Sequence, residues 1–137
     1  MTRWMLVLAG LFGFLGVAFG AFGAHALREK VPAERLDRLE LAVRYVFFHI
    51  PALLATAWLA RGCGGELFVT IAAWTLPLGV VLFSGSLVVL ALTGHRRWGA
   101  VTPFGGVLLL VGWLAVAASG WAIAESGGSS EALYTAC

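Results

Sequence analysis

The position of charge along this chain constrains its fold more than any other feature. Nine of the sixteen Lys, Arg, Asp and Glu residues lie between Arg28 and Arg44, and the preceding stretch Trp4–Leu27 contains none. At about 1.5 Å per residue, a helix over that stretch is roughly 36 Å long, enough to cross a hydrocarbon core of about 30 Å. With 61% hydrophobic and 12% charged residues, the chain has too little polar surface for a soluble domain. We therefore expect an integral membrane protein.

Four apolar segments predict four membrane-spanning helices in one domain over residues 1–124. The expected spans are 4–27, 43–60, 67–93 and 101–124. The first is too long for the apolar region of a signal peptide, so we expect it to be retained. Short glycine-containing connections make spans two, three and four antiparallel neighbours, and the predicted fold class is an all-α, up-down four-helix bundle. Residues 125–137 are expected to form a flexible tail.

The charged stretch between the first two spans has its own pattern. Pro32 suits the first turn of a helix, and Leu36, Leu39 and Val43 recur at helical spacing. We interpret Pro32–Arg44 as an amphipathic helix at the membrane interface that runs into span two, with a charged helical loop as the alternative.

Lys and Arg residues are unequally divided between the two ends of the bundle. Loops one and three hold seven of them, whereas Arg3 and Arg61 are the two at the opposite end. Since loops rich in Lys and Arg remain inside, we expect loops one and three in the cytoplasm and both termini outside. The predicted location is the bacterial inner membrane, with membrane lipids as surroundings and a homo-oligomer or a larger membrane complex as the expected assembly.

Glycines in the spans predict where helices approach one another closely. The glycines of span one fall within one arc of the helix, and such side-chain-free surfaces allow close packing in lipid. We expect this stripe to pack within the protomer, with a dimer seam as the alternative. The predicted packing glycines are Gly13, Gly16, Gly20, Gly23, Gly85, Gly105 and Gly106.

Polar residues near the loop-one end form the candidate site. His49 shares a helix face with Tyr45 and Thr56, and polar faces of spans usually point inward. We predict that His49 is buried, hydrogen-bonded and directed towards span one or three. The candidate polar site comprises His25, Arg28, Tyr45, His49, Ser84, Ser86, Thr93 and Thr102. It is interpreted as a hydrogen-bonded lock between loops one and three, or as a pocket for an anionic lipid head or a small acidic ligand.

Several functions are disfavoured by what the chain contains. Its Lys and Arg residues do not form the basic face that nucleic-acid binding requires. No carboxylate lies within a predicted span, and no H-x-x-x-H or C-x-x-C spacing occurs, so we expect no metal, no cofactor and no catalytic residue. Cys63 and Cys137 map to the outer side, where they either pair or remain unrelated thiols.

Six ordered motifs resemble the YgdD/YwdK family of small inner-membrane proteins. They are Gly20–Leu27, Tyr45-x-x-x-His49-x-x-Ala-Leu-Leu54, Leu82–Leu87, Leu90–Gly94, Thr102–Gly106 and Gly112-Trp113. The resemblance implies a four-span membrane protein and assigns no activity. It also implies signature positions that include most of the candidate polar site.

Three function classes follow from these observations. The preferred one is a non-catalytic structural or accessory membrane protein, which needs only glycine-lined helix contacts and the interfacial helix. The second is a carrier or binding protein for a lipid or small molecule, with its polar site at the cytoplasmic end of the bundle. The third is a metal- or haem-binding redox subunit in which His25 and His49 converge on a cofactor.

Overall fold

The protein folds into four long helices that follow the predicted spans. The structure, a computed structural model, describes residues 1–61 and 66–125, with side chains described to Ala122. The helices are α1 Thr2–Phe22, α2 Ala33–Leu59, α3 Glu66–Thr93 and α4 Thr102–Glu125. All four are long and apolar enough to cross a membrane. The predicted tail, the Gly62–Gly65 connection and the pairing of Cys63 with Cys137 lie outside the described residues.

Each helix packs mainly against its neighbours in sequence, which places α3 at the centre of the bundle. Half of the apolar window of α3 is buried, against 22% for the windows of the first and last spans. The core joins all four helices through fully buried side chains such as Met5, Leu53 and Leu76. Trp4 on α1 also contacts Trp74 on α3, with ring centroids 5.1 Å apart.

The amphipathic segment is helical, as predicted, and it is continuous with span two. Pro32 caps this single 27-residue helix with φ −56° and ψ 146°, a conformation natural to proline, and Ala33 begins the helix. Leu39 and Ala42 are buried at 1% and 0% exposure, whereas Glu34 and Asp37 are exposed. The segment therefore packs against the rest of the bundle with the apolar face that the sequence predicts.

Loops one and three each contain a short helical turn that the sequence does not predict. A π-helical turn, Gly23–Leu27, continues α1, and a 3₁₀ turn, Arg96–Ala100, precedes α4. Gly94 ends α3 with a positive φ of 73°, which glycine adopts without a steric cost. Its N–H donates to the Leu90 carbonyl at 2.8 Å, closing the last turn of the helix.

Candidate functional site

His49 is the polar centre of the bundle interior. It is 5% exposed, and its Nδ1 lies 2.7 Å from the Tyr45 carbonyl oxygen, one turn earlier on α2. The indole N–H of Trp113 on α4 donates to His49 Nε2 at 3.1 Å. An indole nitrogen can only donate, so Nε2 must accept and carries no proton. His49 is therefore a neutral imidazole whose Nδ1–H donates to the carbonyl, and both of its nitrogens are engaged.

The predicted direction of His49 is wrong in one respect. Burial and hydrogen bonding are as predicted, but the side chain bonds span four rather than facing span one or three. Span three is contacted instead by Tyr45, whose ring stacks on Phe83 with centroids 4.3 Å apart. Two neighbouring residues on one face of α2 thus join α2 to both α3 and α4.

Ser86 and Thr102 form a second polar contact between helices. Their hydroxyl oxygens lie 2.8 Å apart, and Ser86 also donates to the Phe83 carbonyl at 2.9 Å. Either hydroxyl can be the donor in this contact, because the Thr102 hydroxyl also lies within hydrogen-bond distance of the Trp98 carbonyl oxygen, at 3.5 Å. This contact holds the beginning of α4 against α3.

Ser84 differs from the other buried serines. It is 3% exposed, and its Oγ has no hydrogen-bond partner among the described residues. The hydroxyls of Ser86 and Ser119 each donate to a carbonyl three residues earlier on their own helices. An unpaired buried hydroxyl is costly, so Ser84 marks a place where the protein alone leaves a polar group unsatisfied.

The remaining members of the predicted polar site do not join this group. His25, in the π-helical turn, and Arg28 are exposed. Thr93 is also exposed, and its hydroxyl donates to the Val89 carbonyl at 2.7 Å. The structure therefore brings the predicted residues together only in part: Tyr45 stacks on His49 and Ser86 contacts Thr102, whereas the three exposed residues lie apart from them. Residues at a similar depth can point in different directions around their helices.

Contact between the two charged loops comes from a residue outside the prediction. The guanidinium of Arg35, near the start of α2, packs against Gly94 and occupies the space that a side chain there would need. This is a packing contact and does not involve the residues of the predicted hydrogen-bonded lock. Arg35 belongs to a run of charges that looks like a solvated face in the sequence, so its role has no sequence signal.

Comparisons with known proteins agree with this architecture. A family model described as "Protein of unknown function (DUF423)" matches residues 19–106. The chain belongs to this family. It is 39% identical to UPF0382 membrane protein YwdK of Bacillus subtilis over 81% of this chain and 90% of that protein. It is 42% identical to UPF0382 inner membrane protein YgdD of Escherichia coli K12 over 82% and 85% of the respective chains. No solved structure matches.

The resemblance seen in the sequence is therefore confirmed, and this DUF423 chain is a multi-pass membrane protein. The matched range contains His49, Ser84, Ser86 and Thr102. Trp113, the partner of His49, lies beyond that range, although Gly112-Trp113 belongs to the motifs that carry the resemblance.

Glycine contacts in the DUF423 chain follow the predicted stripe on α1. A Cβ added at Gly13, Gly16, Gly20 or Gly23 would meet side chains of α2, so this part of the stripe packs within the protomer, whereas nothing lies within 4 Å of a Cβ added at Gly10. Gly105 is tighter still, because a Cβ there would collide with the Phe83 backbone. Gly106 makes ordinary contact with the Phe83 ring.

Three glycines of the DUF423 chain behave differently from the prediction. Nothing lies within 4 Å of a Cβ added at Gly85, so the expected helix contact at this position is wrong. The prediction missed Gly79 and Gly112, where an added Cβ would approach Leu109 and Leu76 within 3 Å. Their helices are apolar on every side, and a single glycine in such a helix does not indicate which face is packed.

Proposed function

We propose that the protein is a non-catalytic structural or accessory protein of the bacterial inner membrane. The supporting observation is that both ring nitrogens of His49 are used in bonds that hold the helices. General base catalysis or metal binding at His49 would require breaking one of these bonds. In this role the interior polar groups fix one arrangement of the four helices.

The exposed helix faces support a partner within the membrane. Large apolar side chains such as Phe14, Phe104 and Leu114 are each about 70% exposed, on α1 and α4. Lipid can cover these faces, and so can the helices of a larger membrane complex or of further copies of this chain. Assembly through such faces is the activity that we propose for the protein.

The two alternative functions have less support from the geometry. A carrier with its polar site at the cytoplasmic end would need His25, Arg28 and Thr93 to meet the buried polar groups, and all three are exposed. A haem or metal subunit would need His25 and His49 to converge on one ion. His25 is exposed, whereas both ring nitrogens of the buried His49 already take part in hydrogen bonds within the bundle.

Recovery of intact assemblies from native membranes tests the proposed function. The tagged chain is extracted with its surrounding lipid, without detergent, and its mass and protein composition are measured. We expect a homo-oligomer or a membrane protein in a fixed ratio, and reciprocal tagging of that protein should return this chain in the same ratio. Recovery of the chain only as a monomer, with no protein in constant ratio, would contradict the proposal.

We also propose that loops one and three face the cytoplasm and both termini face outward. Exposed cations support this orientation, since Arg28 and Arg97 lie at one end and Arg3 and Arg61 at the other.

Cysteine labelling in sealed cells checks the orientation. In a background with Cys63→Ser and Cys137→Ser, we expect a membrane-impermeant maleimide to label Arg61→Cys. The same reagent should label Arg97→Cys only after the cells are opened. Labelling of Arg97→Cys in sealed cells would reverse the proposed topology.

A further inference from the structure

A small pocket with two charged side chains lies between the end of α1 and the beginning of α2. Its volume is about 180 Å³, and we call it the α1–α2 pocket. Glu40 and Arg44 on α2 supply the charges, and the other lining residues are apolar or glycine. These other residues are Phe19, Gly20, Gly23, Ala24, Leu39 and Val43.

The two charged side chains of the pocket do not pair with each other. Glu40 and Arg44 are one helical turn apart, the same spacing at which Glu34 and Arg38 form an ion pair. Within the described parts of the chain, however, neither Glu40 nor Arg44 makes an ion pair or a side-chain hydrogen bond. The pocket therefore presents a carboxylate and a guanidinium that can each bind a separate charge of a ligand.

The depth of the pocket places these charges at the level of lipid headgroups. α2 ends at Leu59, and Glu40 lies roughly 28 Å from that end along the helix axis, at about 1.5 Å per residue. A hydrocarbon core is about 30 Å thick, so Glu40 and Arg44 lie near its boundary. Both side chains are exposed there.

An apolar groove continues from this pocket towards the centre of the membrane. Phe19 and Val43 line both cavities, and the groove, of about 280 Å³, lies between α1, α2 and α3. Its lining is apolar apart from Ser84, whose hydroxyl oxygen is buried beneath the surface. Along α1 the groove extends from Phe19 back to Phe12, roughly 10 Å. A charged pocket at the interface that opens into an apolar groove matches the head and the acyl chain of a phospholipid.

The pair of charges discriminates among phospholipid headgroups. A guanidinium binds phosphate, which every phospholipid carries, so Arg44 alone would give no preference. Glu40 repels a headgroup whose only charge is the phosphate and attracts one that also carries a cation. A primary ammonium can donate charge-assisted hydrogen bonds to a carboxylate, whereas the quaternary ammonium of choline has no N–H. The pocket therefore favours a phosphate joined to a primary ammonium.

We propose that the α1–α2 pocket binds a phospholipid of the phosphatidylethanolamine type. Arg44 binds the phosphate, Glu40 accepts hydrogen bonds from the primary ammonium, and one acyl chain lies in the apolar groove. This site goes beyond the proposed structural role and does not depend on it.

Three phospholipids with identical acyl chains test the headgroup. Phosphatidylethanolamine, phosphatidylglycerol and phosphatidylcholine are each added to the full chain in detergent, and native mass spectrometry measures the bound fraction. We expect phosphatidylethanolamine to bind about fivefold more tightly than either of the others, as an ion pair at an accessible site would give.

Variants of the two charged residues separate their roles. Glu40→Gln should lower the affinity for phosphatidylethanolamine about fivefold and should not weaken phosphatidylglycerol binding. Arg44→Gln should weaken the binding of both lipids, because both present a phosphate. Asp37→Asn is the matched control, since Asp37 is an exposed acid on the same helix that does not line the pocket, and the preference should be retained.

A second variant pair tests the acyl-chain position. No atom outside the local helix lies within 4 Å of a Cβ at Gly85 or at Gly10, and Gly85 lines the groove whereas Gly10 lines neither cavity. We expect Gly85→Leu to fill the groove and weaken phosphatidylethanolamine binding about tenfold, because the acyl chain loses its apolar contacts. Gly10→Leu should bind as wild type does, and both variants should keep melting temperatures near that of wild type.

Three results would overturn the inference. Equal affinities of wild type for the three lipids would show that the pocket does not select a headgroup. A preference for phosphatidylethanolamine that persists in Glu40→Gln would place the ammonium elsewhere. Unchanged phosphatidylethanolamine binding in Gly85→Leu would show that the acyl chain does not lie in the groove. None of these results bears on whether the protein is catalytic or has a protein partner.

Discussion

Gly105→Ala is expected to destabilise the bundle by about 3 kcal/mol, at the upper end of the usual cost of overpacking. The added methyl group would collide with the Phe83 backbone, which cannot move aside as a flexible side chain could. Relief requires α4 to move away from α3, and the contacts around Gly105 would be lost together. Thermal unfolding in detergent, followed by circular dichroism, measures the loss as a lowered melting temperature.

Gly106→Ala is the matched control, one residue further along α4. Its methyl group would lie 3.8 Å from the Phe83 ring, an ordinary van der Waals contact, so its stability should be near that of wild type. Equal melting temperatures for Gly105→Ala, Gly106→Ala and wild type would refute the close approach of the two helices.

His49→Leu is expected to lower the free energy of unfolding by about 2 kcal/mol. The substitution leaves the Trp113 indole N–H without its acceptor, and lipid offers no replacement. His25→Leu is the control, since His25 is exposed and the change there should be within about 0.5 kcal/mol. Melting curves recorded under identical detergent conditions compare the two variants. A neutral or stabilising His49→Leu would show that the imidazole is kept for another purpose.

The spans were predictable because run length and charge determine where a chain can enter lipid. The run Trp4–Leu27 and the charges from Arg28 onward were sufficient to locate α1 and its end. The inward direction of His49 was predictable as well, since Tyr45 and Thr56 share its helix face. In each case the information lies within one helix.

Partners between helices were not predictable in the same way. Trp113 belongs to a helix that is apolar on every side. The local sequence therefore indicates neither the direction of the Trp113 side chain nor its depth in the membrane relative to His49. A related reason explains why the residues predicted for the polar site do not all lie together. His25 and Thr93 have a depth similar to that of the buried polar residues, but depth does not determine the direction of a side chain.

The central claim is that the interior polar groups hold the helices together, and a double-mutant cycle between His49 and Trp113 tests it most directly. His49→Leu, Trp113→Phe and the double variant are unfolded under the same conditions, and the coupling energy is obtained from the three differences. We expect a coupling of about 1 kcal/mol, within the range measured for hydrogen bonds between membrane helices. A coupling of zero, with both single variants folded, would contradict the claim.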